Sequence, residues 1–224
     1  MENNSPKRSD YKSTWTALSE DYESAILHVT GVASEEELRK SGNTDANRID
    51  QFVSFDAGDE VLEIGCGVGR IGYALADRCK KWVGADISSN MLGFAQKRLE
   101  SKNNTEFVEL SGCDLSYFED SSFDIVYSSV VFMHLDEWDR YNYILESYRV
   151  LRKGGRLYFD NFNLKTKTGW TTFIQHKAIP ASDRPPHISK SSTVHEFEAY
   201  LEHTSFQDFS VSEDGQWVVG FACK

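Results

Sequence analysis

The chain of 224 residues is long enough for one domain with a sizeable core plus an extension, and too short for two full domains. Aspartate and glutamate outnumber lysine and arginine by 35 to 24, a formal charge of -11, so the surface as a whole repels phosphate backbones and anionic lipid headgroups and argues against nucleic acid or a membrane as partner. No apolar run is long enough to span a bilayer and the start, MENNSPKRSD, lacks the apolar core of a secretory signal, so the expectation is a soluble, cytoplasmic protein.

The first ten residues are polar and expected to fray. Over residues 11–30 the side chains of Tyr11, Trp15, Leu18, Tyr22, Ile26 and Val29 recur three or four apart, which predicts one helix with an aromatic-rich stripe. Such a stripe either packs on the domain as a structural layer or forms a lid over an active site. Ser34, with Glu37 three residues on, is a capping box for a short helix to Lys40, with a loop at Ser41, Gly42 and Asn43 and a further helix over 46–52. The chain thus divides into a helical extension or lid, residues 1–50, and a main domain, residues 51–224.

Val61, Leu62 and Ile64 read as a short buried strand, and Gly65, Gly67 and Gly69 follow it before a helix opens at Arg70. A turn of this composition lets a ligand approach the backbone closely, with free N–H groups of the next helix facing the same crevice. Gly67, Gly69 and Gly72 also spell the G-x-G-x-x-G of a dinucleotide fold, but Gly65 closes the strand, and counting from it puts Arg70 where the third glycine belongs. A second strand over 82–85 ends at Asp86, about twenty residues beyond the glycines, where a fold of this type places the carboxylate that accepts from a ribose diol. Ser88 or Ser89 caps a helix over 90–100, and residues 105–110 alternate as a third strand, followed by Gly112, Cys113 and Asp114.

Residues 123–131, FDIVYSSVV, predict a largely apolar fourth strand with Phe132, Met133, His134 and Leu135 beyond its carboxyl end. An amphipathic helix over 138–151 is closed by Lys153, Gly154 and Gly155, and residues 156–159 are a fifth strand. An irregular segment over 161–191 carries Gly169, Pro180, Pro185 and Pro186, either as a substrate cover or as a surface excursion. Thr193 and Glu196 box the start of a helix through His203, and residues 206–212 and 216–222 close the chain as a hairpin. The expected architecture is α/β, a doubly wound, mostly parallel seven-stranded sheet with an antiparallel C-terminal hairpin, Rossmann-like. Cys66, Cys79, Cys113 and Cys223 have no C-x-x-C spacing, so neither a disulfide framework nor a metal site is expected.

The run Glu63-x-Gly65-x-Gly67-x-Gly69, then Asp86, Asp114, an FD-led apolar strand, a His-Leu and RVLRKGG, resembles in order the class I S-adenosylmethionine-dependent methyltransferases over about residues 60–160. The resemblance implies S-adenosyl-L-methionine as cofactor. It assigns Glu63, Gly65, Cys66 (through its backbone), Gly67 and Gly69 to the methionine side, Asp86 to the ribose, and Ile87 to the adenine face. Asp114, flanked by Cys113 and Leu115, falls to the adenine amino group, and Ser128 to the lip of the site. His134 is either a base that takes a proton from the acceptor or a structural histidine of the loop. Tyr11, Trp15, Phe132, Asn161 and Trp170 are candidate substrate-pocket residues, each with a core or surface alternative. The activity implied is methyl transfer to an N, O or C nucleophile of a small-molecule acceptor. A protein methyltransferase, an NAD(P)-dependent oxidoreductase and a non-catalytic cofactor-binding module are the alternatives. Ser128-Ser129-Val130-Val131 lacks the Asn/Asp-Pro-Pro-aromatic run expected of an enzyme that methylates nucleic-acid bases.

Overall fold

The computed structural model describes residues 10–224; residues 1–9, expected to fray, lie outside the described residues. Helices α1 (Asp10–Ala17), α2 (Tyr22–Thr30) and α3 (Glu35–Val53) precede β1 (Glu60–Ile64). Then come α4 (Arg70–Leu75), β2 (Lys81–Asp86), α5 (Ser89–Arg98), β3 (Thr105–Glu109), β4 (Phe123–Ser128), α6 (Glu137–Val150) and β5 (Leu151–Phe162). Helices α7 (Lys167–Lys177) and α8 (Val194–Glu202) lead to the closing strands β6 (Asp208–Asp214) and β7 (Trp217–Cys223).

The strands form one sheet in the order β3-β2-β1-β4-β5-β7-β6. β1 to β5 pair in parallel, whereas β7 runs antiparallel to both β5 and β6. This is the doubly wound sheet with a terminal hairpin that the sequence predicts. Because helices cover both faces, each inner strand is apolar on both sides. Val61, Trp82, Ile125 and Tyr158 pack under Ile49 and Val53 of α3 and Ile71 and Leu75 of α4. Their neighbours Leu62, Val83, Val126 and Leu157 face Tyr143 and Ile144 of α6 and Phe197 and Leu201 of α8.

Several predicted boundaries are corrected. The single helix over 11–30 is two, because Asp21 caps a new start by accepting from the Ser24 N–H at 2.9 Å. The two short helices and loop over 34–52 are one helix, α3, which also carries the proposed domain boundary at residue 50 through its last turn. Gly42 is no breaker: it lets α3 approach α4, and a Cβ there would lie 2.4 Å from the Arg70 carbonyl oxygen. β4 stops at Ser128 rather than Val131 because Val130 adopts a left-handed φ of 65°. Residues 153–155, expected to end α6, lie inside β5, whose pairing with β4 shifts register there. The irregular segment holds α7, capped by Thr166, which accepts from the Gly169 N–H at 3.1 Å.

In an exposed helix alanine gains about 1 kcal/mol over glycine, whereas overpacking a tight contact costs about 1–3 kcal/mol. Gly42→Ala is therefore expected to lower the unfolding free energy measured by urea titration. A stabilised variant would mean that Gly42 is only a weak helix former and that the close approach of α3 to α4 is wrong.

Candidate active site

The parallel pairing of β2, β1 and β4 brings their carboxyl ends to one edge. There Gly65, Gly67 and Gly69 all take left-handed φ values, and the N–H groups of Gly65 and Cys66 donate to the Ala85 carbonyl at 2.7 and 3.0 Å. Gly65 is also a packing requirement, since a Cβ there would sit 2.3 Å from the Val131 side chain. Asp86 ends β2 and binds the turn from beneath: its carboxylate accepts from the Gly67 N–H at 2.8 Å and from the Ser88 N–H at 2.9 Å. Burial still pushes its pKa up against those bonds. Glu63, buried in β1, accepts from the Tyr127 hydroxyl at 2.6 Å, which in turn accepts from the Trp82 indole at 3.1 Å. Burial outweighs this hydroxyl and nearby Arg70 and raises the Glu63 carboxyl to about 8.

These groups line one cleft of about 930 Å³, its open mouth included. Its floor is Glu63, the backbone of residues 65–67, Arg70 and Asp86, and Ile87, Leu110 and Gly112 form an apolar end. The roof comes from ahead of the sheet: Tyr11 and Trp15 of α1, His28 and Val29 of α2. The roof is pinned to the start of α5 by Ser19 and the capping Ser88, hydroxyl to hydroxyl at 2.9 Å, and by Asn90, which donates to the Thr16 carbonyl at 3.1 Å. Lys12 pairs with Glu109 at the end of β3.

The wall opposite the floor is the loop after β4, with Ser129, Val130, Val131 and His134. His134 sits in a single helical turn, Phe132–His134. Its Nδ1–H donates to the His187 carbonyl at 2.7 Å, which leaves Nε2 as the basic nitrogen. Trp15 meets its ring edge-on at 4.9 Å, the Tyr11 hydroxyl donates to its carbonyl, and Lys190 donates to that hydroxyl at 3.3 Å. Burial is the main cause that lowers His134 to about 4.

A buried network fixes this wall, and its members escaped the sequence reading. Asp160, at the end of β5, accepts from the Val130 N–H at 2.7 Å, the Ser129 hydroxyl at 2.7 Å, the Tyr158 hydroxyl at 3.0 Å and Arg48 Nη2 at 2.9 Å. Arg48 also pairs with Asp45 at 3.1 Å, and Asp45 pairs with Arg70 in the floor. Asp160 holds the left-handed Val130 in place, a conformation costly for a β-branched residue. An arginine and an aspartate one turn apart on a polar helix resemble a surface pair, so nothing in the sequence marks Asp45 or Arg48 as buried.

Of the residues expected from the sequence, the cleft brings together Glu63, Gly65, Cys66, Gly67, Asp86, Ile87, Tyr11, Trp15 and His134. Gly69 lies behind it, facing Leu99. Seven others do not line it. Asp114 is turned to its own loop, accepting from Ser111 at 3.1 Å and from the Ser116 hydroxyl at 2.7 Å, beside an exposed Cys113 and a core-buried Leu115. Ser128 donates to the Ile64 carbonyl at 3.1 Å; its neighbour Ser129 faces the cleft instead. Phe132 stacks on Phe159 in the core at 5.1 Å. Asn161 is buried and pins the 190–192 strap, donating to the Lys190 carbonyl at 3.0 Å and the Ser192 hydroxyl at 2.7 Å. Trp170 projects from the outer face of α7 and is exposed.

Residues 62–159 match the Methyltransferase domain family. The chain is 25% identical over 154 residues to phosphoethanolamine N-methyltransferase 1 of Arabidopsis thaliana, covering 68% of this chain and 31% of the relative. It is 32% identical over 122 residues to the ubiquinone biosynthesis O-methyltransferase of Pseudomonas entomophila, covering 54% of this chain and 51% of the relative. Its fold matches that of phosphoethanolamine N-methyltransferase 1 of Haemonchus contortus, solved with phosphoethanolamine and S-adenosylhomocysteine, at a TM-score of 0.69 and 19% identity over 96% of this chain and 48% of that one. A SAM-dependent methyltransferase of Methanosarcina mazei matches at a TM-score of 0.58 and 26% identity, over 79% of this chain and 94% of that one. Residues 62–159, a little under half of the chain, are thus similar to a class I, S-adenosylmethionine-dependent methyltransferase domain, and the fold around them is that of such enzymes. The chain spans about a third of the length of the Arabidopsis relative.

Because the fold disfavours charged His134, the unfolded chain binds this proton more readily, and stability is expected to fall as pH drops from about 6.5 toward about 4. Nitrogen-15 NMR of the imidazole should show a midpoint near 4 and a neutral ring at pH 6. A midpoint near 6.5 would contradict its burial.

Proposed function

We propose that this chain transfers the methyl group of S-adenosyl-L-methionine to a nucleophilic N, O or C atom of a small molecule. The observation that carries the reading is the pair of buried carboxylates, Glu63 and Asp86, on either side of a glycine turn at the floor of a single cleft whose opposite wall bears His134. The pair fits a ligand with one cationic end and a ribose diol: Asp86 takes the diol, Ile87 and Leu110 the adenine ring, and Glu63 the ammonium, whose charge opposes the effect of burial and favours the ionised carboxylate once it is bound. Asp114, turned to its own loop, is given no such role here. When bound, the cofactor supplies a sulfonium methyl that is already strongly electrophilic, so the protein has mainly to align the acceptor and exclude water.

His134 is the residue placed to take a proton from an acceptor hydroxyl or ammonium. With Nδ1–H committed to the His187 carbonyl, Nε2 keeps its lone pair; the depressed pKa keeps it unprotonated at neutral pH but also makes it a weak base, so it takes the proton only as methyl transfer renders the acceptor atom acidic. Tyr11 and Trp15 supply the aromatic wall of the acceptor side, and a cleft roofed by two helices suits a small acceptor better than a protein side chain on a folded surface. We read α1 and α2 as a lid on the domain behind them. Four free cysteines, two of them buried, support a reducing compartment such as the cytoplasm.

Asp86→Ala should weaken binding of S-adenosylmethionine by about 1–3 kcal/mol, because it leaves buried ribose hydroxyls unpaired. Isothermal calorimetry on the folded variant checks this, and an unchanged affinity would remove the assignment. If α1 and α2 are a lid coupled to the cofactor, saturating S-adenosylhomocysteine should protect residues 10–30 from limited proteolysis. Identical cleavage with and without bound ligand would make these helices a fixed structural layer.

A further inference from the structure

Helix α7 is built inside out. It turns Gly169, Thr172 and His176 inward: Gly169 is buried, with room for no Cβ because the Asn163 carbonyl oxygen would lie 2.0 Å away, and His176 Nδ1–H donates to the Ser189 carbonyl at 2.9 Å. Its large apolar residues face out, Trp170 at 53%, Ile174 at 44% and Phe173 at 43% exposure, with the Trp170 and Phe173 rings stacked at 5.3 Å. At about 100° per residue, Lys167, Trp170, Phe173, Ile174 and Lys177 share an arc of roughly 120°. Apolar side chains grouped in this way mark a contact surface.

Charge identifies what it contacts. Between Asp160 and Glu196 the 35 residues 161–195 hold one acid, Asp183, against the five cations Lys165, Lys167, Lys177, Arg184 and Lys190, a balance of +4. The rest of the chain then carries -15, which follows from the total of -11 less +4. Lys165 pairs with Glu213 and Lys190 with Asp136, both acids from outside the segment, which leaves Lys167, Lys177 and Arg184 to set the charge of this face. Lys167, Lys177 and Arg184 are exposed and form no ion pair among the described residues; Arg184 donates only to the Ile179 and Lys177 carbonyls. Trp, Phe and Ile between flanking lysines, on a helix too short to cross a bilayer, are what an in-plane interfacial helix requires. A symmetric contact with a second copy would set these cations against one another.

We propose that the α7 face docks on an anionic lipid surface. The strap behind α7 ties that surface to the cleft, because Ser189 holds His176, the Lys190 N–H donates to the Met133 carbonyl at 2.7 Å, and His187 holds His134. Docking thus turns the wall of the cleft that bears His134 toward the lipid.

The test is flotation of the full chain with phosphatidylcholine vesicles and with vesicles in which a third of the lipid is phosphatidylglycerol. Partitioning about ten-fold stronger onto the anionic vesicles, reversed by high salt, is expected. Both the Trp170→Ser, Phe173→Ser, Ile174→Ser variant and the Lys167→Glu, Lys177→Glu variant should lose it by about ten-fold while keeping the wild-type melting temperature, since all five side chains are exposed. Equal partitioning onto both vesicle types, or variants that bind as the wild type does, would overturn the proposal. So would a concentration-dependent dimer in light scattering that the apolar substitutions abolish, which would assign the face to a second copy.

Discussion

The hydrogen bond from the Gly67 N–H to the Asp86 carboxylate ties together the two strand ends on which the site depends. Parallel pairing of β1 with β2 delivers both ends to one edge, but only a buried acceptor at the end of β2 can satisfy the backbone donors of a turn that has left regular structure. Asp86 does so at a cost, since burial raises its pKa while the bonds to residues 67 and 88 lower it. An apolar residue there would strand those donors. A larger residue at Gly65 would drive the turn into Val131, so strand order, turn and β4 wall are mutually dependent.

The same logic governs the opposite wall. Val130 keeps a left-handed backbone only because Asp160 accepts its N–H, and Asp160 is tolerable in the core because Arg48 and the hydroxyls of Ser129 and Tyr158 surround it. A buried ion pair of this kind contributes little net stability when intact, but removing one partner typically costs about 3–5 kcal/mol. The network reaches from α3, ahead of the sheet, through β5 to the cleft wall, so α3 belongs to the site's framework as much as the strands do.

The glycine turn and Asp86 were legible because each follows an apolar run at a spacing that strand geometry fixes, and Glu63, inside its strand, only through the family resemblance; parallel pairing then does the rest. The Thr193 and Ser34 caps were legible for the same local reason. Gly42 misled because close helix approach and helix termination call for the same residue. Trp170 was open to a pocket or a surface reading because it falls in a stretch with no visible period; helical phase, apparent once α7 is recognised, points it outward. Asp114 shows the limit of spacing: Ser111 and Ser116 supply enough donors to turn its carboxylate into the loop. Asp45, Arg48 and Asp160 left no sequence trace, since Asp45 and Arg48 look like an ordinary surface pair one turn apart and the partner that buries Arg48, Asp160, lies more than a hundred positions away.

The most direct measurement is a crystal structure of the chain with S-adenosylhomocysteine. The account places the ribose hydroxyls on Asp86, the adenine against Ile87 and Leu110, the amino-acid end at Glu63 and Gly65, and the sulfur facing the wall that carries His134. A ligand bound outside this cleft, or one whose ribose makes no contact with Asp86, would contradict it.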